Sequence, residues 1–183
     1  ISFSVSAVPV YYNSEANFLS AAGGGLGFES YENAPGVVSD TYNFSGFSIS
    51  ETNGINALTN VAINGAFGTT PVTDGVNAIW YDDNGGSLSN FFSFNSGVNA
   101  FGLYITTDLS STVTIRGTNF STSINLAANT PTFFGVIDTS VANFAPIQFD
   151  ASGGPLVGFD ATYYGTAVPE PAMLSLLGLG LLM

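Results

Sequence analysis

Hydrophobic and polar residues alternate with a period of two along most of this chain. Between Thr112 and Arg116, Val113 and Ile115 share one face, and the residues between them share the other. This is the pattern of an antiparallel strand with one buried face, and residues 99–105 repeat it. Eleven strands are predicted in this way, over Leu26–Glu32, Phe44–Glu51, Ile55–Ile63, Asn77–Asp82, Leu88–Phe94, Val98–Thr107, Thr112–Gly117, Ser121–Leu126, Thr132–Asp138, Phe144–Asp150 and Leu156–Tyr164.

Turn-forming residues separate these strands about every eight to twelve residues, a spacing that leaves no room for crossover helices. The sequence therefore predicts an all-β fold, a two-sheet antiparallel sandwich of the jelly-roll or lectin-like kind. The segment Asp82–Gly86 has the Asn and Gly residues that a hairpin turn requires. It predicts a hairpin between the two strands on either side of it.

One short helix is predicted near the start of the chain. Ser14 is suited to cap its first turn, Glu15 places an acid there, and Gly23 provides a stop. We expect about two helical turns between Ser14 and Ala22.

Three regions follow from these patterns: a lead-in over residues 1–13, the sandwich domain over residues 14–165, and a C-terminal segment over residues 166–183. The apolar, small residues of Ile1–Ala7 fit the end of a secretory signal peptide, and they equally fit an ordinary first strand. After Gly165 a proline-rich linker leads into an apolar tail.

The charge is strongly one-sided, with 13 acidic residues, one arginine, no histidine and a net charge of -12. The chain also has no lysine and no cysteine, so nucleic-acid binding, zinc sites, thiol nucleophiles and histidine-based triads are excluded. Hydrophobic residues make up 45% of the chain and charged residues only 8%, which favours a folded domain of the secreted type.

The residues Val168, Pro169, Glu170 and Pro171, followed by the leucine- and glycine-rich run 172–183, resemble the PEP-CTERM sorting signal of exported bacterial proteins. The resemblance implies export, recognition of the Pro-Glu-Pro triplet by an exosortase, and delivery to the cell surface or extracellular matrix. The run lacks the arginine-rich end of the full signal. As a helix it would span about 18 Å, too short for a bilayer core.

Several short segments upstream are also similar to segments of exported PEP-CTERM β-domains, and this similarity implies a jelly-roll or lectin-like sandwich. They occur at Phe18–Ala22, Gly27–Glu29, Val98–Gly102, Phe133–Val136 and Gly158–Tyr163.

A calcium site is the metal site that this composition favours, because carboxylate and carbonyl oxygens are the ligands that calcium prefers. If the first and last strands pair, Glu29 and Asp160 become neighbours at a sheet edge. Their alternative role is to discourage edge-to-edge aggregation. A further oxygen could come from one of three other acidic residues, Glu51, Asp74 or Asp150.

Trp80 is the candidate for stacking on a sugar ring, and packing in the core is its alternative role. Tyrosines occur as the adjacent pairs Tyr11–Tyr12 and Tyr163–Tyr164. Since neighbouring residues of a strand point to opposite faces, only one member of each pair can face a given groove.

The sequence as a whole predicts a non-catalytic, exported structural protein of the cell surface or extracellular matrix, which self-assembles into filaments through its apolar ends. The alternative is a carbohydrate-binding module of the exopolysaccharide matrix. A glycosidase that uses two carboxylates is a third interpretation, but no pair of acidic residues is distinguished by its spacing. No catalytic residue is assigned, and calcium is the one cofactor considered.

Overall fold

Two antiparallel β-sheets pack face to face in the computed structural model, which describes residues 8–33, 41–51, 59–62, 73–74, 77–82, 88–95 and 97–168. These ranges contain one helix, α1 (Glu15–Ala22). Their strands are β1 (Val10–Tyr12), β2 (Gly27–Glu29), β3 (Thr41–Asn43), β4 (Phe47–Glu51), β5 (Thr59–Ala62), β6 (Asn77–Asp82), β7 (Leu88–Phe94), β8 (Ala100–Thr107), β9 (Ser111–Arg116), β10 (Ser121–Leu126), β11 (Thr132–Ile137), β12 (Ile147–Ala151) and β13 (Leu156–Gly165).

The strands divide into a seven-stranded and a six-stranded sheet. The larger sheet has the order β1-β11-β8-β13-β6-β5, and β2 also pairs with β13; the smaller has the order β10-β9-β12-β7-β4-β3. Every strand pairing is antiparallel. The predicted all-β, two-sheet sandwich with one short helix is therefore confirmed. Of the predicted C-terminal segment 166–183, residues 169–183 lie outside the described residues.

The core between the sheets consists largely of phenylalanine rings, and Phe92 is at its centre. The centroid of its ring lies 5.1 Å from that of Phe101, 5.3 Å from that of Phe149 and 5.2 Å from that of Phe159. Two of these three partners meet Phe92 edge to face, a favourable arrangement for aromatic rings. Alternation along β8 supplies Phe101, Leu103 and Ile105 to this core and sends the residues between them to the outer face.

Helix α1 begins and ends as its sequence predicts. The Ser14 side chain accepts a hydrogen bond from the Asn17 backbone, and Gly23 ends the helix with a φ of 76°, in the left-handed region. Phe18 and Ala22 are the buried residues of the helix, and they pack against the outer face of the seven-stranded sheet. The helix therefore covers part of a face that the six-stranded sheet does not reach.

Two glycines make room for this helix. Gly102 on β8 and Gly135 on β11 lie directly opposite each other in the sheet. A Cβ atom added at Gly135 would lie 2.7 Å from Cδ2 of Phe18, and one added at Gly102 would lie 2.8 Å from Cζ of Phe133 and 3.1 Å from Cε1 of Phe18. Since real Cβ contacts are longer, any side chain at Gly135 would force the Phe18 ring to move.

The last described residues continue to contact the domain. The Ala167 backbone N–H donates to Oδ1 of Asn99 at 2.8 Å, and Ala167 is buried. The Val168 backbone N–H donates to the carbonyl of Ala22 at the end of α1, at 3.0 Å. Residues 166–168 are thus held on the sandwich, next to the end of the helix.

None of the described segments forms a helix with the length and apolar character that a membrane crossing requires.

Most predicted strands are found with small shifts of their ends, but β1 and β3 were missed. β1 lies within the predicted lead-in and pairs with β11. The predicted hairpin at Asp82–Gly86 is wrong, because β6 and β7 belong to different sheets and do not pair with each other. Turn-forming residues suit a connection between sheets as well as they suit a hairpin.

A double-mutant cycle tests the packing of Phe18 against Gly135. We expect Phe18→Ala to destabilise the fold by about 3–5 kcal/mol, because it removes a fully buried ring. Gly135→Ala should cost about 1–3 kcal/mol, because its Cβ overpacks the same site. In the Phe18→Ala background the cost of Gly135→Ala should fall, since the nearer of the two crowding rings is gone and only Cε1 of Phe133 remains, at 3.0 Å from the added Cβ atom. Chemical denaturation of the four proteins measures this coupling, and equal costs in the two backgrounds would show that Phe18 does not depend on Gly135.

Candidate functional site

The first turn of α1 is fastened to the sheet through a carboxylate. The hydroxyl of Tyr104 on β8 donates to Oε2 of Glu15 at 2.9 Å. The hydroxyl of Tyr163 on β13 donates to Oε1 of the same residue. One side chain of the helix thereby joins two neighbouring strands, and both tyrosines lie on the outer face of the sheet.

Both tyrosines are perturbed by this environment. Burial, the hydrogen bond to Glu15 and the charge of Glu15 together raise the pKa of Tyr104 to about 12. Burial, followed by the same hydrogen bond and charge, also raises the pKa of Tyr163. Each factor favours the neutral phenol, so both hydroxyls remain donors to Glu15.

A cleft of about 510 Å³ opens beside this carboxylate, and we call it the Glu15 cleft. It combines aromatic rings, a carboxylate, an amide and hydroxyl groups, as ligand sites commonly do. Its lining residues are Asn13, Ser14, Glu15, Ala16, Tyr104, Pro131, Thr132 and Phe133.

A second cleft of about 310 Å³, which we call the tyrosine cleft, adjoins the first. The two share Asn13, Thr132 and Phe133. The tyrosine cleft is lined by Tyr11, Tyr12, Asn13, Thr122, Ile124, Thr132, Phe133 and Phe134. Together the clefts form a continuous surface around the end of β1.

Aromatic rings are fixed along this surface. The ring centroid of Tyr104 lies 5.3 Å from that of Phe133, and the ring of Tyr12 lies 5.8 Å from that of Phe18. Tyr11 packs edge to face against Phe120 but keeps 44% of its surface exposed. The surface therefore offers partly exposed rings whose positions are set by the core beneath them.

Glu15 is the one carboxylate among the residues that line the two clefts. A glycosidase of the usual kind needs two carboxyl groups across the scissile bond, about 5–10 Å apart. The lining residues as described do not include such a pair.

The predicted pairing that underlies the calcium site is found, because β2 pairs with β13 and places Glu29 opposite Thr162. Glu29 accepts a hydrogen bond from the Tyr31 backbone N–H at 2.9 Å. Asp160 lies two residues before Thr162, where the register of β13 shifts and Ala161 has a φ of 46°. Both acids lie at this irregular junction of β13.

Asp160 holds a loop in place. Its Oδ2 accepts hydrogen bonds from the Thr73 backbone N–H at 2.6 Å, the Thr73 hydroxyl at 2.8 Å and the Asp74 backbone N–H at 2.9 Å. Its Oδ1 accepts from the Ala161 N–H at 2.8 Å. Asp160 is only 5% exposed. Burial raises the pKa of its carboxyl group, and the hydrogen bonds partly offset this rise because they lower the pKa. These contacts give Asp160 a structural role that needs no metal.

Of the three additional calcium ligands considered from the sequence, Asp74 lies next to Asp160, to which its backbone N–H donates. Asp150 lies on β12 of the other sheet, where it forms an ion pair with Arg116. The side chain of Glu51 lies outside the part that the structure describes. Among the described residues there is no group of three or more acidic side chains that could hold a metal ion. The calcium site at Glu29 and Asp160 stays a prediction.

Trp80 is 4% exposed, and its ring lies over Gly158 of the neighbouring strand β13. A Cβ atom added at Gly158 would approach the ring to 2.6 Å. This placement favours packing over sugar stacking for Trp80. Tyr163 and Tyr164 do face opposite sides of β13, since Tyr164 packs against Phe47 of the core.

Of the predicted sorting motif, Val168 is described and is 54% exposed. Pro169, Glu170 and Pro171 lie outside the described residues. The Glu15 cleft itself was missed by the sequence reasoning, which assigned Glu15 only to the helix start.

No protein-family model and no curated protein sequence matches this chain. Among solved structures, it is similar to the carbohydrate-binding module TmCBM61 in complex with beta-1,4-galactotriose, at 13% identity and a TM-score of 0.47 over 68% of this chain and 90% of that one. It is also similar to the K1 cleaved adhesin domain of Lys-gingipain from Porphyromonas gingivalis W83, at 11% identity and a TM-score of 0.49 over 78% and 99% of the two chains.

A third similar structure is CsCBM6-3 from Clostridium stercorarium in complex with cellobiose, at 15% identity and a TM-score of 0.38 over 76% of this chain and 93% of that one. Likenesses at this level of identity and TM-score carry no functional argument.

Substitution of Asp160 tests its structural role. We expect Asp160→Ala to destabilise the protein by about 1–3 kcal/mol, because three donors of residues 73–74 lose their acceptor. Asp74→Asn is the matched control, since it removes a nearby charge and keeps the Asp74 backbone donor. Thermal or chemical denaturation measures both variants. A calcium-dependent gain in the melting temperature of the wild type, absent from Asp160→Ala, would instead support the metal site.

The pH dependence of stability tests the burial of Asp160 separately. Because its pKa is raised above 3.8 in the folded state, the folded protein binds this proton more tightly than the unfolded chain does. Its contribution to stability is therefore largest at low pH and falls as the pH rises from 3.8 through the raised pKa. The melting temperature of the wild type minus that of Asp160→Asn should fall over this range, and a rise would contradict the assignment.

Phenol titration tests the bond between Glu15 and the tyrosines. Glu15→Gln should lower the pKa of Tyr104 from about 12 towards its ordinary value of 10.0 without reaching it, because burial is the largest cause of the shift. The ultraviolet absorbance of the phenolate follows the titration, and Tyr104→Phe identifies the transition. An unchanged titration in Glu15→Gln would mean that the carboxylate does not act on Tyr104.

Proposed function

We propose that this protein is a non-catalytic glycan-binding β-sandwich and that the Glu15 cleft, with the adjoining tyrosine cleft, is its binding surface. The proposal depends on one observation: partly exposed aromatic rings, the fixed Glu15 carboxylate and the Asn13 amide all line the same pair of adjoining clefts. Aromatic rings pack against the apolar faces of sugars, while carboxylate and amide groups bond to the hydroxyls.

The dimensions of the surface suit a short oligosaccharide. The Glu15 cleft alone, at about 510 Å³, falls in the ordinary range of small-molecule sites. The tyrosine cleft extends it past Thr132 and Phe133, so that consecutive sugar units could occupy the two clefts in turn.

Binding without turnover follows from the side chains that the chain possesses. The 183 residues include no histidine, lysine or cysteine, which removes imidazole, amine and thiol groups as nucleophiles and proton shuttles. A carboxylate mechanism would need a second acid opposite Glu15, and the lining residues as described do not supply one.

We also keep the proposal of export to the cell surface or extracellular matrix, which the sorting-signal resemblance supports. A role in self-assembling filaments is the competing function. The observation that favours it is strand β10, which forms one edge of the six-stranded sheet and carries no charged residue. An uncharged edge strand offers backbone groups to a second copy.

Glycan screening followed by calorimetry tests the binding function. We expect the purified protein to bind an oligosaccharide without releasing sugar, and Asn13→Ala and Tyr12→Ala each to weaken binding about three- to tenfold. Thr114→Ala, on the exposed face of the other sheet, is the matched control and should bind as the wild type does.

Two outcomes would oppose this assignment. If no glycan binds and sedimentation shows polymers of the protein alone, the filament role is favoured. If a glycan binds but neither cleft variant weakens it, the site lies elsewhere on the molecule.

A further inference from the structure

No positive side chain is placed to meet a ligand in the Glu15 cleft. Arg116 is the one lysine or arginine among the 183 residues. It lies on β9 in the six-stranded sheet and is paired with Asp150, whereas the cleft is on the outer face of the seven-stranded sheet. A carboxylate, sulfate or phosphate group on a ligand would therefore find no cationic partner there.

The tyrosine hydroxyls next to the cleft are already committed. Tyr104 and Tyr163 each donate a proton to Glu15, so neither of these protons remains for an anionic ligand. A carboxylate has about four acceptor positions, and the two tyrosines use two of them. Glu15 thus keeps the capacity to accept from a ligand, and an ammonium group with its three donors complements it.

The charge of the rest of the chain also favours a cationic ligand over an anionic one. With 13 acidic residues and a net charge of -12, the protein attracts cations and repels anions at long range. Glu15 is half-buried between the helix and the sheet, where a charge is less screened by salt than on an open surface.

We infer that the Glu15 cleft prefers glycans with protonated amino sugars and discriminates against glycans that carry carboxylate or sulfate groups. This inference rests on the proposed function and specifies its ligand class. The ammonium group lies at the Glu15 carboxylate, and the sugar rings follow the aromatic surface towards Tyr12.

Calorimetry with three oligosaccharides of equal length tests the inference. The probes are β-1,4-linked glucosamine, its fully N-acetylated form and an oligogalacturonate, at a pH at which the amines are protonated. We expect the glucosamine oligomer to bind about fivefold more tightly than the acetylated oligomer, an amount equal to one charge pair at about 4 Å in water. Binding of the oligogalacturonate should be weakest, and the preference should shrink as salt is added.

Matched variants separate a local effect from the general negative charge. Glu15→Gln should abolish the preference for the amine, although it will also weaken binding of the acetylated oligomer. Asp108→Asn changes the net charge equally, lies outside the cleft lining and keeps an acceptor for the Leu156 backbone N–H. It should retain the preference.

The outcomes distinguish this inference from the proposed function. Equal binding of the amine and acetylated oligomers, or tightest binding of the oligogalacturonate, overturns the inference and leaves glycan binding intact. No binding of any probe or screened glycan overturns both. If Asp108→Asn loses the preference as Glu15→Gln does, the attraction is general and the inference is wrong. Should Glu15→Gln fail to fold, a wild-type preference for the glucosamine oligomer that persists at a pH at which its amines are neutral still refutes it.

Discussion

The candidate site depends on one packing contact, in which the ring of Phe18 lies over two glycines of the seven-stranded sheet. Gly102 and Gly135 face each other across β8 and β11, and the rings of Phe18 and Phe133 fill the space that their missing side chains leave. This contact fixes helix α1 on the outer face of the sheet. Because Glu15 begins the same helix, its carboxylate is placed between Tyr104 and Tyr163 as a consequence.

The site is therefore built from the outside of a sandwich rather than from its core. The phenylalanine core fixes the strands, the strands fix the tyrosines, and the helix adds a carboxylate and one wall of the cleft. The same carboxylate stabilises the helix–sheet contact and gives the cleft its negative charge. Glu15 thus has a structural role and, in the proposed function, a binding role as well, so its substitution must be followed by tyrosine titration as well as by ligand affinity.

The sequence predicted the sandwich and the helix well, because both depend on local patterns. Alternation in β8 and β9 and the Ser14 and Gly23 caps are readable from neighbouring residues. It did not predict that β6 and β7 belong to different sheets, since strand pairing is a long-range property. It also missed the cleft, because Glu15 and Tyr163 are 148 residues apart and no spacing rule connects them. Trp80 is buried over Gly158, which agrees with the core packing that the sequence analysis gave as its alternative role.

The most direct measurement of the central claim is to map an oligosaccharide onto the protein by nuclear magnetic resonance. Another groove, of about 410 Å³ and lined partly by Gly46, Asn95 and Tyr164, provides an internal comparison. Titration with an oligosaccharide that the glycan screen identifies as a ligand should shift the amide signals of Asn13, Tyr104 and Thr132 first and most strongly. Shifts confined to the groove at Tyr164, with the signals around Glu15 unchanged, would contradict the account.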